Sequence, residues 1–279
     1  MTTYCSTAWA PYECEFDTLD VVASDVSETR TKDVNEGGAR EGRFLLCDFG
    51  EGSFVLVNVY VPNSGGPPER PRLAYKLSFL RALLTRIKDI INSGREVLVV
   101  GDFNVATKPE DVHPRIGLEK TYSLEERELF DSFIQGPDAP LVDVWRHLHP
   151  QQRDTYTVFD EKTSARSFNE GVRIDYVLAS KSLLPAISRC DILCGSVDCL
   201  PPKWSDHVGI ILEMNTGELM TPPKPHPPCL AWTTLNARFN DPKQRSILAM
   251  FKSTTPKSNS EGQSGQGVKE CGKRKRGES

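Results

Sequence analysis

A chain of 279 residues with 38% hydrophobic content can hold one large α/β domain or two small ones, and has the apolar residues for a real core. No stretch approaches the ~20 apolar residues of a membrane helix, and the opening "MTTYCSTAWAPYECE" lacks the charged-then-apolar order of a secretory signal, so the expectation is an intracellular protein with no membrane partner. The formal charge of −4 is uneven: from Lys252 onward seven Lys/Arg face three Asp/Glu, which leaves an acidic body unsuited to nonspecific polyanion binding but compatible with a divalent-metal site.

Residues 43–49 ("RFLLCDF") and 54–60 ("FVLVNVY") read as two strands joined by "GEGS", a β-hairpin. A Pro/Gly-rich loop, "VPNSGGPPERPR", precedes a helix predicted from Leu73 to Ile91, with apolar residues at 73, 77, 80, 84, 87 and 91. Val97 to Val100 are four consecutive β-formers, the pattern of a strand buried on both faces. Ser123 and Glu126 have capping-box spacing, which predicts a helix over 124–135. Further strands are expected at 155–159, 173–179, 188–194 and 207–213, so the fold class is α/β with mixed strands. After Asn215 the chain becomes proline-dense ("TPPKPHPPCLAW"), and from Ser253 it has almost no apolar residues. The expected organisation is one domain over 1–214, then a Pro-rich linker and a disordered basic tail over 215–279. The eight cysteines are scattered. Cys190, Cys194 and Cys199 lack a fourth ligand at zinc-finger spacing and read as free thiols.

Four polar clusters stand at or beside the ends of predicted strands, where ligands of open α/β sheets gather: "NVYVPNSG" (58–65), "GDFN" (101–104), "RIDY" (173–176) and "SDH" (205–207). Together they supply two tyrosines, three aspartates, three asparagines and one histidine. Phosphodiester cleavage requires such a set: a base for the attacking water, donors and a metal for the charge developing on the phosphate, and help for the leaving oxygen. Oxygen ligands without clustered thiols favour magnesium or manganese over zinc.

In this order and at these intervals the four motifs resemble the endonuclease/exonuclease/phosphatase superfamily, whose fold is a two-sheet α/β sandwich. "GDFN" and "SDH" are shared across that superfamily, whereas "YVPNSG" and "ARSFNEGVRIDYVLAS" are similar to its exonuclease III branch, the apurinic/apyrimidinic (AP) endonucleases of base-excision repair. The resemblance spans about residues 42–214. It implies that His207 contacts the scissile phosphate with Asp175 as its carboxylate partner. It further implies that Asp102 positions or deprotonates the attacking water, and that Asn104 binds the phosphate beside it. Tyr60 is to sit against the phosphate or assist the leaving group, with Asn63 nearby, and Asp206 is to help hold the metal, Mg2+ or alternatively Mn2+.

"QRSILAMF", Gln244 to Phe251, resembles the peptide that docks on the replication sliding clamp. Ile247, Met250 and Phe251 would form one face of a helical turn, with Gln244 hydrogen-bonding beside it, although Met250 stands where an aromatic is expected. A nuclease core followed by such a peptide resembles the second-type eukaryotic AP endonucleases. That likeness implies AP cleavage, 3′–5′ exonuclease and 3′-end cleaning on double-stranded DNA with abasic sites or blocked 3′ ends. "KRKR" at 273–276 suits a nuclear location.

Two family features find no counterpart: a first strand carrying an asparagine, and a strand ending in a metal-binding glutamate. Glu13, Glu15, Glu28, Glu36 and Glu41 do not follow a buried apolar strand, so the expectation is a sandwich missing its first strands and one principal metal ligand. A zinc finger after the clamp-like peptide is also missing. Two function classes follow, a magnesium-dependent DNA phosphodiesterase and a catalytically impaired clamp-binding protein that keeps the nuclease scaffold. A small-molecule phosphatase is disfavoured by "YVPNSG" and the clamp-like peptide.

Overall fold

The computed structural model describes residues 11, 13–16, 19, 41–194, 204–215 and 217, all within the first of the chain's two units, 1–232 and 233–279. The strands are β1 (Glu13–Phe16), β2 (Phe44–Asp48), β3 (Phe54–Tyr60), β4 (Glu96–Asp102), β5 (Leu141–Asp143), β6 (Val158–Phe159), β7 (Gly171–Val172), β8 (Asp175–Ser180), β9 (Ile187–Ile192) and β10 (Ile210–Met214). The helices are α1 (Leu73–Asn92), α2 (Leu118–Thr121), α3 (Leu124–Ile134) and α4 (Val144–Leu148).

Six strands form one sheet in the order β1-β2-β3-β4-β8-β5. The hairpin pairs β2 with β3, and α1 then carries the chain over so that β4 lies parallel to β3, with β8 antiparallel on its other side. Alternation along β3 explains how the sheet is covered. Val55, Val57 and Val59 pack with Phe79, Leu80, Leu83 and Ile87 of α1 and with Phe130 and Phe133 of α3. Phe54 and Leu56 face the opposite cluster with Leu98, Val177, Trp145 and Ile187. Full burial of each such side chain contributes roughly 1.5–3 kcal/mol, so the apolar stripe of α1 fixes it to the sheet more firmly than helix propensity could.

The second layer contains the β9-β10 and β6-β7 pairs. An isolated bridge between Val158 and His207 joins them, reinforced by Phe159 N–H donating to the Asp206 carbonyl at 3.0 Å and Val208 N–H to that of Thr157 at 2.8 Å. The expected two-layered α/β arrangement is therefore present. The helix read from periodicity and the helix read from the capping box both form, and both bonds of the Ser123/Glu126 box are made.

The later strands differ from their expected bounds. The strand expected over 173–179 forms as β8 but begins at Asp175, because Arg173 and Ile174 carry the chain across from β7 in the second layer, with Arg173 buried at the crossing. The strand expected from 207 starts at Ile210, leaving His207 in the bridge that precedes it. β1, α2, β5, α4 and β7 have no counterpart in the sequence reading. Gln244, Ile247, Met250 and Phe251, with the rest of the expected tail, lie outside the described residues, as do Glu28 and Glu36.

Candidate active site

The parallel register of β3 and β4 sets Tyr60 beside Asp102, and the antiparallel register of β4 and β8 sets Asp175 on its other side. Gly101 makes the approach possible. It has φ 135, and a Cβ there would lie 2.0 Å from the Val59 carbonyl oxygen. After it, Asp102 Oδ1 accepts the Asn104 backbone N–H at 2.7 Å, which closes a tight turn with Asn104 in the left-handed region at φ 52, a conformation that asparagine tolerates. Phe103, between them, is fully buried against Phe130, Phe133 and Tyr176 and anchors the turn.

Asn104 is fully engaged within the protein. Its Nδ2 donates to the Val61 carbonyl at 2.9 Å and to Asp102 Oδ2 at 3.2 Å, and its Oδ1 accepts from Asn63 Nδ2 at 3.0 Å. Asn63 is itself held by the Gly65 N–H at 2.8 Å. The asparagines thus fix the orientation of the Asp102 carboxylate.

His207 arrives from the second layer, its Nδ1 2.8 Å from Asp175 Oδ2. Asp175 is steadied from behind by Thr157, whose hydroxyl oxygen accepts the N–H groups of Ile174 at 3.0 Å and Asp175 at 3.1 Å. Donor atoms of Asp102, Asp175 and His207 all lie within 4.8 Å of one another. Burial, and next the negative charge of Asp175, push the Asp102 carboxyl up to about 7, against the Asn104 N–H and the charges of His207 and Lys76. The hydrogen bond to Asp175 raises the His207 imidazole above its ordinary value, against burial, with the charges of Asp175, Asp102 and Asp206 assisting. Two carboxylates this short of compensating charge, with an imidazole beside them, suit a hard divalent cation.

Tyr60 is 45% exposed, with the Arg43 guanidinium 4.8 Å from its ring centroid. Asp206 is exposed and is not one of the three converging groups, although its charge acts on His207. The carboxylates of β1 are elsewhere: Glu15 pairs with Arg86 of α1 at 2.7 Å, and β2 and β3 separate β1 from β4.

Sequence reasoning missed Lys76 and Glu126, an ion pair at 2.7 Å in which both side chains are 0% exposed. Lys76 Nζ also donates to the Asn104 carbonyl at 2.7 Å, joining α1 and α3 to the turn that carries Asp102. Burial pushes the Lys76 ammonium below its ordinary value, and the charge of Glu126 opposes this. The available signal was a lysine on the apolar stripe of α1, between Leu73 and Leu80.

Residues 21–207 match the Endonuclease/Exonuclease/phosphatase family. The chain belongs to that family. Its curated relatives include the DNA-(apurinic or apyrimidinic site) endonuclease 2 of Schizosaccharomyces pombe, 31% identical over 180 residues, covering 62% of this chain and 32% of that protein. The Homo sapiens protein of the same name is 31% identical over 205 residues, covering 67% and 38%. The chain thus spans about a third of the length of these curated relatives. Among solved structures, the catalytic domain of Xenopus laevis APE2 superposes with a TM-score of 0.59 at 25% identity, covering 75% of this chain and 69% of that one. A 3′-5′ exonuclease from Neisseria meningitidis, at 23% identity and TM-score 0.59, covers 74% and 72% and shares the fold of this endonuclease/exonuclease/phosphatase member. The branch expected from "YVPNSG" and "ARSFNEGVRIDYVLAS" is the one these curated relatives occupy.

Proposed function

We propose that the chain is a magnesium-dependent DNA phosphodiesterase that acts at abasic sites and blocked 3′ ends. The observation that carries this reading is the convergence of Asp102, Asp175 and His207 within 4.8 Å, drawn from both layers. The name shared by the curated relatives supports abasic DNA as the substrate. His207, with its Nδ1 proton given to Asp175, offers Nε2 to a nonbridging phosphate oxygen, and its raised pKa keeps it a donor closer to neutral pH. Asp102, its carboxylate held by the Asn104 backbone and side-chain N–H groups, is placed to orient the attacking water or take its proton. Asn63 and Asn104 keep its carboxylate in the plane that this transfer needs. Tyr60, exposed at the end of β3, is available to the phosphate or the leaving oxygen. Asp102 and Asp175 would hold the divalent cation, which, when bound, offsets the negative charge of the phosphate. Docking of Gln244, Ile247, Met250 and Phe251 on a sliding clamp, a nuclear location and a role for Asp206 beside the cation belong to the same proposal and rest on the sequence motifs.

The test is incision of a duplex carrying one abasic-site analogue, titrated with magnesium and manganese, by the chain and by its Asp102→Asn and His207→Ala variants. Metal-dependent cutting that drops at least about 100-fold in either variant is expected. No cutting by the folded chain at any metal concentration overturns the proposal.

A further inference from the structure

Among the described residues the two most exposed large hydrophobic side chains are Phe168 and Trp204, each 69% exposed. A single apolar residue on a surface needs no explanation. These two, however, stand on the segments that frame the candidate site. Trp204 is three residues before His207, and Phe168 ends the turn Ala165–Phe168. Arg166 ties the segments together, since its Nη2 donates to the carbonyl of Ser205 at 3.0 Å and to that of His207 at 3.2 Å.

The Phe168 turn is also anchored from beneath. Ala165 is buried with Tyr156, Phe159 and Val208, and the Arg166 guanidinium lies 5.3 Å from the Phe159 ring centroid. Asn169, left-handed at φ 52, closes the turn by donating from Nδ2 to the Asp154 carbonyl at 2.9 Å. A turn held at so many points presents Phe168 to solvent instead of folding it onto the core.

We infer that Phe168 and Trp204 form a stacking rim for unpaired nucleobases at the mouth of the candidate active site. The inference rests on the phosphodiesterase reading and adds the chemical class that the rim recognises. A DNA phosphate held at His207 would set its flanking nucleotides beside this edge, because Trp204 and the Phe168 turn adjoin that histidine in the chain and through Arg166. In a duplex their faces are covered by neighbouring bases, whereas an unpaired nucleotide has an open face that an aromatic ring can cover. Such stacking tolerates every base, because each has a π-face. The Arg166 guanidinium, which lies against Phe159 and ties the Phe168 turn to the Ser205 and His207 carbonyls, adds positive charge beside this edge.

The test compares two single strands of equal length and equal phosphate charge: an oligothymidylate, and a strand of baseless tetrahydrofuran residues. Affinities of the full chain are read by fluorescence anisotropy in chelator, so that nothing is cleaved. The base-bearing strand is expected to bind about 10-fold tighter or more. Phe168→Ala with Trp204→Ala removes that difference, and Phe168→Tyr with Trp204→Phe retains it. Equal affinity of the unaltered chain for both strands overturns the inference, as does a base preference that survives both alanines. Unchanged DNA affinity in the alanine variant, with loss of self-association in sedimentation, assigns the rings to a protein contact and overturns it too. Incision of abasic duplex, measured in parallel, separates the two readings. Cutting without base preference removes the rim and leaves the phosphodiesterase, whereas base preference without cutting does the reverse.

Discussion

Asp102 is held in a state that stability alone would not select. Its carboxyl is pushed up to about 7 by burial and by Asp175, whereas the unfolded chain titrates it near the ordinary 3.8. The folded state therefore binds this proton more tightly than the unfolded state does, and stability falls as pH rises from about 4 to about 7. Asp102→Asn, which cannot ionise, is expected to exceed the wild type by on the order of 1–3 kcal/mol at pH 8, with the gain vanishing below about pH 4. Urea unfolding across that range measures it, and a pH-independent difference would remove the electrostatic account. Adding magnesium should lower the Asp102 midpoint, read from its carboxyl carbon by NMR, because a bound cation favours the ionised form. His207 gives a slope of the same sign for a different reason, because here a favourable partner raises the folded pKa. Its folded pKa is raised, so its contribution is complete below about 6.5 and is lost as pH rises through the folded value. Removing its partner in Asp175→Asn should lower the imidazole midpoint, since burial then acts with less opposition. A midpoint that stays put in the proton NMR titration would deny Asp175 its role.

Lys76 of α1 and Glu126 of α3 form a connection with no solvent to screen it. Glu126 Oε1 accepts the Ser123 N–H at 2.7 Å, so one carboxylate completes a helix cap while neutralising a lysine that holds the Asn104 carbonyl. Lys76→Met leaves that carboxylate without its nearest cation and should cost about 3–5 kcal/mol. Lys76→Met with Glu126→Leu should cost less than the single change, because the two fully buried charges leave together; what is forfeited is the cap, ~1 kcal/mol, and the 3.4 Å pair of Glu126 with Arg70. Denaturant unfolding of the two single variants and the double variant tests this. Strict additivity would mean that the two groups are not a coupled unit. Such a pair was not legible in the sequence, where Lys76 is one lysine among many and Glu126 announces only a cap. What was legible has clear physical grounds. The apolar spacing from Leu73 to Ile91 marks a helix that must bury one side, and Val97 to Val100 mark a strand covered on both. β1 and β5 are too short to carry a pattern of their own and exist because β2 and β8 offer open edges. The strand read over 173–179 is present from Asp175, and its start was misplaced because a buried Arg173 at a crossing reads in sequence like a strand residue.

That crossing sets the geometry of the site, because Asp102 and Asp175 belong to one layer and His207 to the other. Arg173 sits where the chain passes from β7 to β8, almost wholly buried. Its Nε and Nη2 grip the two oxygens of Asp111 at 2.8 Å each, Nη2 also reaches Asp143 at 2.7 Å, and its face lies over Tyr176 at 4.5 Å. Asp143 in turn caps α4 by accepting the Arg146 N–H at 3.1 Å. One guanidinium thus joins the 109–111 turn, the end of β5 and the start of β8, two residues before Asp175. The sequence offered "RIDY" as a motif, and the resemblance assigned a task to its aspartate alone. A buried, forked, doubly paired arginine also explains the first letter. Arg173→Leu leaves the buried Asp143 without a guanidinium and Asp111 with Arg146 alone, and should destabilise the fold by about 3–5 kcal/mol. Arg173→Lys is the sharper variant, because it keeps the charge but cannot reproduce the fork, and so should leave the chain folded with Asp175 less well fixed. If the join between layers positions His207 against Asp175, phosphodiester cleavage by that variant should fall about 10-fold or more in kcat with little change in KM, since a misplacement of about 1 Å suffices for such a loss. Steady-state kinetics on the abasic duplex measures it, and a lysine variant with the wild-type kcat would show that the layers keep their register without the fork.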